Sequence, residues 1–344
     1  MTTIYDVAKK AGVSHTTVSA VFNDRAGEVS QETRKRVLAA ARELGYRPSR
    51  VARQLATGRS NIIAVCFEQT VADAFSSPNS GRLVAAIGDA AGQSGQYLLF
   101  APTARKGSLQ DLIEELAFIG VDGAVVIGAI ELKKATLEAI DRCPVPIVCV
   151  DSYSGFQHAS TVDVDSAAAV RKGVTHLLHS GHRRIAYFGP PPIFQCHLDR
   201  LRGFHEAAQG AAEAGAEFET HTVTGGKIRE ALKERLGRPG RPTALVCDRW
   251  DFGVAAWETV TGELGLRVPD DISLLLIDAL PGEDHPGQGV VNSIQPTPVE
   301  MGRQAMSVLA EILSGKLTSP VNIRLPAKVT LHPSPAPPEL RLAG

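Results

Sequence analysis

From Asn61 onward the sequence alternates short apolar runs with longer amphipathic stretches, and this rhythm restricts the fold more than any other feature. The runs are Ile62-Ile63-Ala64-Val65, Tyr97-Leu98-Leu99-Phe100, Gly123-Ala124-Val125-Val126-Ile127 and Pro146-Ile147-Val148-Cys149-Val150. Between them lie helix-patterned segments near 81–95, 108–119 and 131–141. Runs this short have the length of strands, and their continuous apolarity fits strands covered on both faces. Strands joined through helices make right-handed βαβ units and a parallel sheet. The pattern repeats after about residue 162, with strand candidates at Arg184-Ile185-Ala186-Tyr187-Phe188, near 219–223, at Ala244-Leu245-Val246-Cys247 and at Ile272-Ser273-Leu274-Leu275-Leu276-Ile277. Two series in succession predict two doubly wound lobes with a ligand cleft between them, at the C-terminal ends of the strands. No dinucleotide fingerprint, phosphate loop or nucleophile elbow follows any strand, and Gly225-Gly226-Lys227 reads as a loop. The scaffold therefore reads as a binding protein and not as an enzyme.

The N-terminal segment follows another pattern. Ile4, Val7, Ala8 and Ala11 recur at helical spacing, and Gly12 stops the turn. A second helix over 14–23 has Ser14 as N-cap and Val18, Val21 and Phe22 as its buried positions. Ala11-Gly12-Val13 is then the tight turn of a helix-turn-helix. A third helix opens at Ser30, with Val37, Ala41 and Leu44 inward, and ends at Gly45. Small and hydroxylic residues face outward on the second helix: His15, Thr16, Thr17, Ser19 and Ala20. A helix seated in a major groove about 12 Å wide needs such a face. Pro48 to Gly58 forms a short hinge candidate, basic on one side, with Val51, Ala52 and Leu55 on the other. A helix this short forms only when docked.

Charge supports a DNA-facing head. The 344-residue chain carries a net charge of only −1. Residues 1–60 hold eleven Lys and Arg against five acids, a net +6; the other 284 hold 25 against 32, a net −7. A basic head on an acidic body is the electrostatic footprint of a protein that touches DNA with one end. The stretch MTTIYDVAKKAGVS lacks the apolar core of a signal peptide, and no run approaches the ~18 residues needed to span a bilayer, so a cytoplasmic protein with no membrane partner is expected. Cys66, Cys143, Cys149, Cys196 and Cys247 form no CxxC pair and are expected as free, largely buried thiols. His176, His179 and His182 invite a zinc reading. Gly181 should end the helix before His182, and no Cys or acid lies beside them, so neither metal nor cofactor is expected.

Residues 3–58 resemble the head and hinge of the lactose-repressor/galactose-repressor (LacI/GalR) family. The matching pieces are Ile4-Tyr5-Asp6-Val7-Ala8, Ala11-Gly12-Val13-Ser14, Thr17-Val18-Ser19, Asn23, Val29-Ser30, Thr33-Arg34, Leu44-Gly45-Tyr46, Pro48, Val51-Ala52 and Leu55. The body is similar in Val121-Asp122-Gly123, His176-Leu177, Gly181-His182-Arg183-Arg184-Ile185-Ala186, Arg200-Leu201-Arg202-Gly203-Phe204, the stretch from Leu264 to Ser273, and Met301-Gly302. The resemblance implies a helix-turn-helix head on a core like the periplasmic sugar-binding proteins. The expected bounds are 1–48 for the DNA-binding domain and 49–60 for the hinge. The core spans 61–332, with an N-lobe of about 61–161 and 292–325 and a C-lobe of about 162–291, and a Pro-rich tail follows at 333–344.

The resemblance also implies roles. Residues matching His15, Thr16 and Ala20 set base preference. Thr3, Tyr5, Ser14, Thr17 and Asn23 hold phosphates. Arg50, Val51, Ala52 and Leu55 belong to hinge helices that pair in the minor groove, with Leu55 wedged into the central base step. Ala20 stands where many members carry arginine, so the operator should differ at the corresponding base. In the cleft, Arg200 and Asp278 are the expected effector contacts, with Phe75 as an apolar platform and Asp248 and Trp250 at a strand mouth. Cys247 replaces an asparagine common before the aspartate, and 222–226 lacks an aromatic that many sugar-responsive members stack on the ring. The expected partners are a palindromic double-stranded operator, a small effector of carbohydrate type and a second copy of the chain. The Pro-rich C-terminus has no heptads, so a homodimer is expected without a tetramerising coil. The expected function is a repressor whose operator affinity responds to that effector. Two other readings use the same scaffold: a regulator with a vestigial cleft answering to a protein partner, and a sugar-binding protein without a regulatory role.

Overall fold

The computed structural model describes residues 2–22, 29–47, 54, 58–67, 75, 78–103, 107–128, 133–151, 155–212, 215–278, 280 and 285–334. The chain divides into two compact units, Met1–Ile62 with Gly120–Asp122, and Ile63–Ile119 with Gly123–Gly344.

In the first unit, three helices α1 (Ile4–Ala11), α2 (His15–Phe22) and α3 (Gln31–Glu43) bury a small core of Val7, Ala8, Ala11, Val18, Val21, Val37, Ala40 and Ala41. The stop expected at Gly12 and the caps expected at Ser14 and Ser30 are present, and α1 adds a capping box not anticipated from the sequence. Thr3 and Asp6 form a reciprocal capping box at α1, and Gly12 takes the left-handed conformation at φ 64° that ends it. Ser14 Oγ accepts from the Thr17 amide at 3.1 Å, and Ser30 Oγ from the Thr33 amide at 3.2 Å. The hinge expectation at Arg50, Val51, Ala52 and Leu55 lies outside the described residues, as do Asn23 and the tail beyond Ser334. The linker's far end is anchored: the Asp122 carboxylate accepts from the Ser60 amide (2.7 Å), the Ser60 hydroxyl (2.9 Å) and the Asn61 amide (2.8 Å).

The second unit contains two six-stranded sheets. The first has the order β11-β5-β4-β3-β1-β2, from β1 (Ile62–Phe67), β2 (Tyr97–Pro102), β3 (Gly123–Ile127), β4 (Ile147–Val150), β5 (Ser160–Val164) and β11 (Asn322–Leu325). The second has the order β12-β10-β9-β8-β6-β7, from β6 (Arg184–Gly189), β7 (Glu217–Thr222), β8 (Ala244–Cys247), β9 (Ser273–Ile277), β10 (Asn292–Gln295) and β12 (Lys328–Thr330). Strands β6 to β10 pair in parallel, and β12 closes the edge antiparallel to β10. Helices α4 (Pro78–Gln93), α5 (Leu109–Ile119), α6 (Lys134–Arg142) and α11 (Pro298–Leu313) belong to the N-lobe. Helices α7 (Ser166–His179), α8 (Gln195–Ala212), α9 (Ile228–Leu236) and α10 (Trp250–Trp257) belong to the C-lobe. Met301, Ala305, Met306 and Leu309 of α11 enter the same core as Ile63, Val65 and Val125.

The lobe seams differ from the expected ones. Strand β5 runs to Val164, past the expected seam at 161/162, and β10 pairs with β9 in the C-lobe sheet, not in the N-lobe. The chain returns to the N-lobe only with α11, and crosses once more between β11 and β12. Gly225–Lys227, expected as a loop, is a single 3₁₀ turn leading into α9. His182 is fully buried: Nδ1 meets Thr243 Oγ1 at 2.8 Å, and Nε2 lies 3.0 Å from the Ser334 carbonyl. His176 bonds the His332 carbonyl at 2.9 Å. Two of the three histidines weighed as zinc ligands thus hold the segment after β12.

Candidate functional site

On the head, Ser14, His15 and Thr16 are exposed at the start of α2, and Thr17 is half-buried. Ser14 Oγ lies 2.6 Å from Thr16 Oγ1 and 2.9 Å from Thr17 Oγ1, so one hydroxyl cluster surrounds the helix N-terminus. Amides and hydroxyls gathered at a positive helix end suit a phosphate oxygen. Tyr5 is exposed, and its ring packs against His15 with centroids 5.1 Å apart, while Thr3 caps α1. Tyr5 thus lies against the start of α2. Ala20 departs from expectation: it shares the helix side of Thr16, four residues earlier, yet is only 6% exposed.

The C-terminal ends of the strands converge on a cleft cavity of about 90 Å³. Arg200 from α8, Asp278 after β9, Asp151 after β4 and Asn79 in the first turn of α4 are among its lining residues. The sequence builds Arg200 into place through its own motif. Three residues on, Gly203 packs so closely on α7 that a Cβ would stand 2.2 Å from the Ala167 carbonyl oxygen. Phe204 is fully buried against Tyr187 and Phe218. The arginine faces the cleft because glycine and phenylalanine fix the helix behind it.

Arg200 Nη1 donates to Asp248 Oδ1 at 2.8 Å and to the Asp248 carbonyl at 3.0 Å. The other Asp248 oxygen lies 2.8 Å from His197 Nδ1. Burial alone would raise the Asp248 carboxyl, but the Arg200 charge and the His197 hydrogen bond outweigh it and hold it below its ordinary value. Arg200 Nε is buried and has no hydrogen-bond partner among the described residues. Burial pushes Asp278 up to about 6 against the pull of Arg200, helped by the charges of Asp151 and Asp248. Asn79 Nδ2 donates to Asp278 Oδ1 at 2.9 Å. Asp163, buried in β5, is raised to about 7 by burial and by Asp151.

Of the residues expected to hold an effector, the structure brings Arg200 and Asp278 together. Asp248 stands behind Arg200, 1% exposed, as its buried counter-ion and not in the lining. Phe75 packs on Phe67 and Phe100, with centroids 6.0 and 6.3 Å away, and does not line this cavity. Trp250 opens α10, half-buried, and is also outside the lining. Asp151 and Asn79 were not foreseen. A signal for Asp151 exists in the internal repeat: Ile147-Val148-Cys149-Val150-Asp151 and Leu274-Leu275-Leu276-Ile277-Asp278 end corresponding strands in the same residue.

Comparison with known proteins agrees with this layout. Residues 3–49 match the model for bacterial regulatory proteins of the lacI family, and residues 174–334 match that for a periplasmic binding protein-like domain. The transcriptional regulator MalR of Streptomyces coelicolor is 31% identical over 328 residues, 91% of each chain. Among solved structures, the lac repressor dimer bound to operator and the anti-inducer ONPF superposes with a TM-score of 0.78 at 26% identity, covering 97% of this chain and 98% of that one. The complex of the regulator CelR with cellobiose gives 0.68 at 26% identity, covering 97% and 100%. With the DNA-facing head and the two-lobed cleft both in place, the chain is a ligand-controlled DNA-binding transcriptional regulator and belongs to the lacI family of bacterial regulatory proteins.

Proposed function

We propose that the protein is a cytoplasmic repressor that binds a palindromic operator as a homodimer and is controlled by a carbohydrate in the interlobe cleft. The observation that carries the reading is the cleft itself, where Arg200, whose Nε is buried without a partner among the described residues, lines one cavity with two carboxylates. Sugar hydroxyls both donate and accept, so they complement such a mixed set. CelR, similar over nearly the whole chain, has been solved with cellobiose.

The dimer reading rests on the N-lobe edge. Strand β2 ends its sheet and leaves Tyr97 and Phe100 54% and 44% exposed, an apolar edge of the kind that a second copy covers. Two heads then read two half-sites. On the head, His15 and Thr16 are the base-reading residues and Thr3, Tyr5, Ser14 and Thr17 the phosphate-facing ones; the hinge residues Arg50, Val51, Ala52 and Leu55 enter the minor groove. Effector binding shifts the lobes and so the free energy of forming the hinge helices on DNA.

The test is selection of genomic fragments by the purified protein, followed by footprinting. A short two-fold symmetric site protected on both strands is expected. Salt-sensitive binding with no shared site, with and without added metabolites, overturns the reading.

A further inference from the structure

Resting on the reading that the interlobe cleft holds the effector, the charges around that cleft narrow the effector's chemistry. Among the described residues three aspartates act on the Arg200 guanidinium: Asp151 and Asp278 line the cavity with it, and Asp248 backs it. Arg200 is already matched by Asp248 at 2.8 Å. Among the described residues the two lining carboxylates therefore have no cation but Arg200: Asp278 accepts from the Asn79 amide, and Asp151 has no side-chain hydrogen bond. Among the described residues Arg202 pairs with Asp199, Arg249 pairs with Asp251, and Arg324 acts on Asp163.

The Arg200 Nε, without a partner among the described residues, sets a second requirement. It is buried, its residue lines the cavity, and it needs a hydrogen-bond acceptor. An anionic acceptor would meet it but would also add charge beside Asp151 and Asp278. At about 5 Å and an effective dielectric of about 20, each such repulsion is about 3 kcal/mol, comparable to the attraction of one arginine. Two carboxylates against one neutralised guanidinium leave repulsion ahead. A hydroxyl accepts from Nε and donates to a carboxylate at no such penalty, and an ammonium offsets the excess charge.

We propose that this cleft selects effectors without negative charge, holding amine-bearing polyols more tightly than neutral ones and excluding phosphorylated or carboxylated ones. Calorimetric titration of the full-length protein with glucose, glucosamine, glucose 6-phosphate and inorganic phosphate tests it. Glucosamine is expected to bind best and the two phosphates worst. The Asp151→Asn/Asp278→Asn double variant should gain phosphate affinity by about tenfold or more, and adding Arg200→Ala should remove the gain. If the double variant does not fold, Asp151→Asn alone makes the same comparison.

Arg200-dependent binding of glucose 6-phosphate above glucose by the unaltered protein overturns the proposal, and so does a folded variant without any phosphate gain. A phosphate gain with no sugar bound at all supports the charge selection and refutes the carbohydrate reading instead. Arg200-dependent sugar binding without a phosphate gain does the reverse.

Discussion

Arg200 and Asp248 are joined twice through one nitrogen: Nη1 donates to the carboxylate at 2.8 Å and to the carbonyl at 3.0 Å. Both residues are buried, so the pair orients the guanidinium, while Nε is buried without a hydrogen-bond partner among the described residues. Removing one partner of a buried ion pair strands the other charge, which typically costs about 3–5 kcal/mol. Asp248→Ala is expected to lower stability by that amount in urea unfolding, and Asp248→Asn by less because it keeps an acceptor for Nη1. Equal losses would show that charge alone, and not the hydrogen bond, holds Arg200.

Gly203 gives a second prediction from the same helix. A Cβ there would meet Ala167 backbone atoms at 2.2 to 2.9 Å, so α7 and α8 must separate to admit it. Overpacking against backbone has no side-chain rotamer to relieve it, and Gly203→Ala should destabilise by about 3 kcal/mol. Thermal melting checks the loss. Loss of effector response at a temperature where the variant is still folded would tie helix spacing to the aim of Arg200.

Much of this architecture was legible because its signals are local. The caps at Ser14 and Ser30 and the apolar strands β1 to β4, β6, β8 and β9 announce themselves within a few residues. Strands β5, β10 and β11, with sequences STVDV, NSIQ and NIRL, carry polar residues that compositional reading discounts. Those polar groups are satisfied by partners far away in sequence, as Thr161 by Asn322 at 2.8 Å and Asn292 by Ser334 at 2.7 Å. The lobe seams escaped for the same reason: which sheet a returning strand joins is decided by long-range pairing. The cleft was half legible, since the Arg200 motif is local but the meeting of Asp151, Asn79 and Asp278 is not.

His182 should make stability depend on pH. Burial, with His176 adding to it, lowers its pKa from the ordinary 6.5 to about 4 despite the Ser334 carbonyl. A histidine whose folded pKa is depressed leaves stability intact above the unfolded pKa. Below it the unfolded chain takes up a proton that the folded chain refuses. Stability should therefore fall as pH drops from about 6.5 to about 4, by up to about 3 kcal/mol for this site. Urea titrations across that range on the protein and on His182→Gln measure it. The variant should be less stable at neutral pH and show a shallower acid slope; parallel slopes would remove His182 as the cause.

Asp122 lies at the other end of the coupling problem, where the linker from the head is tied down. Its carboxylate takes two backbone amides and one hydroxyl from Ser60 and Asn61, with Asn61 held at φ 56°. Asp122→Ala leaves both amides without that acceptor, and an unsatisfied donor of this kind costs about 1–3 kcal/mol. The loss falls on the anchor and not on the lobe cores, because none of those bonds reaches the buried apolar clusters. Local opening should then become about 5- to 100-fold more frequent, and cleavage by a protease present at low concentration follows the open population. The expected outcome is faster cutting within residues 48–61 of Asp122→Ala, with the melting of the lobes little changed, and weaker operator binding by the intact variant. Unchanged cleavage together with unchanged operator affinity would mean that the anchor shapes the linker without restraining it.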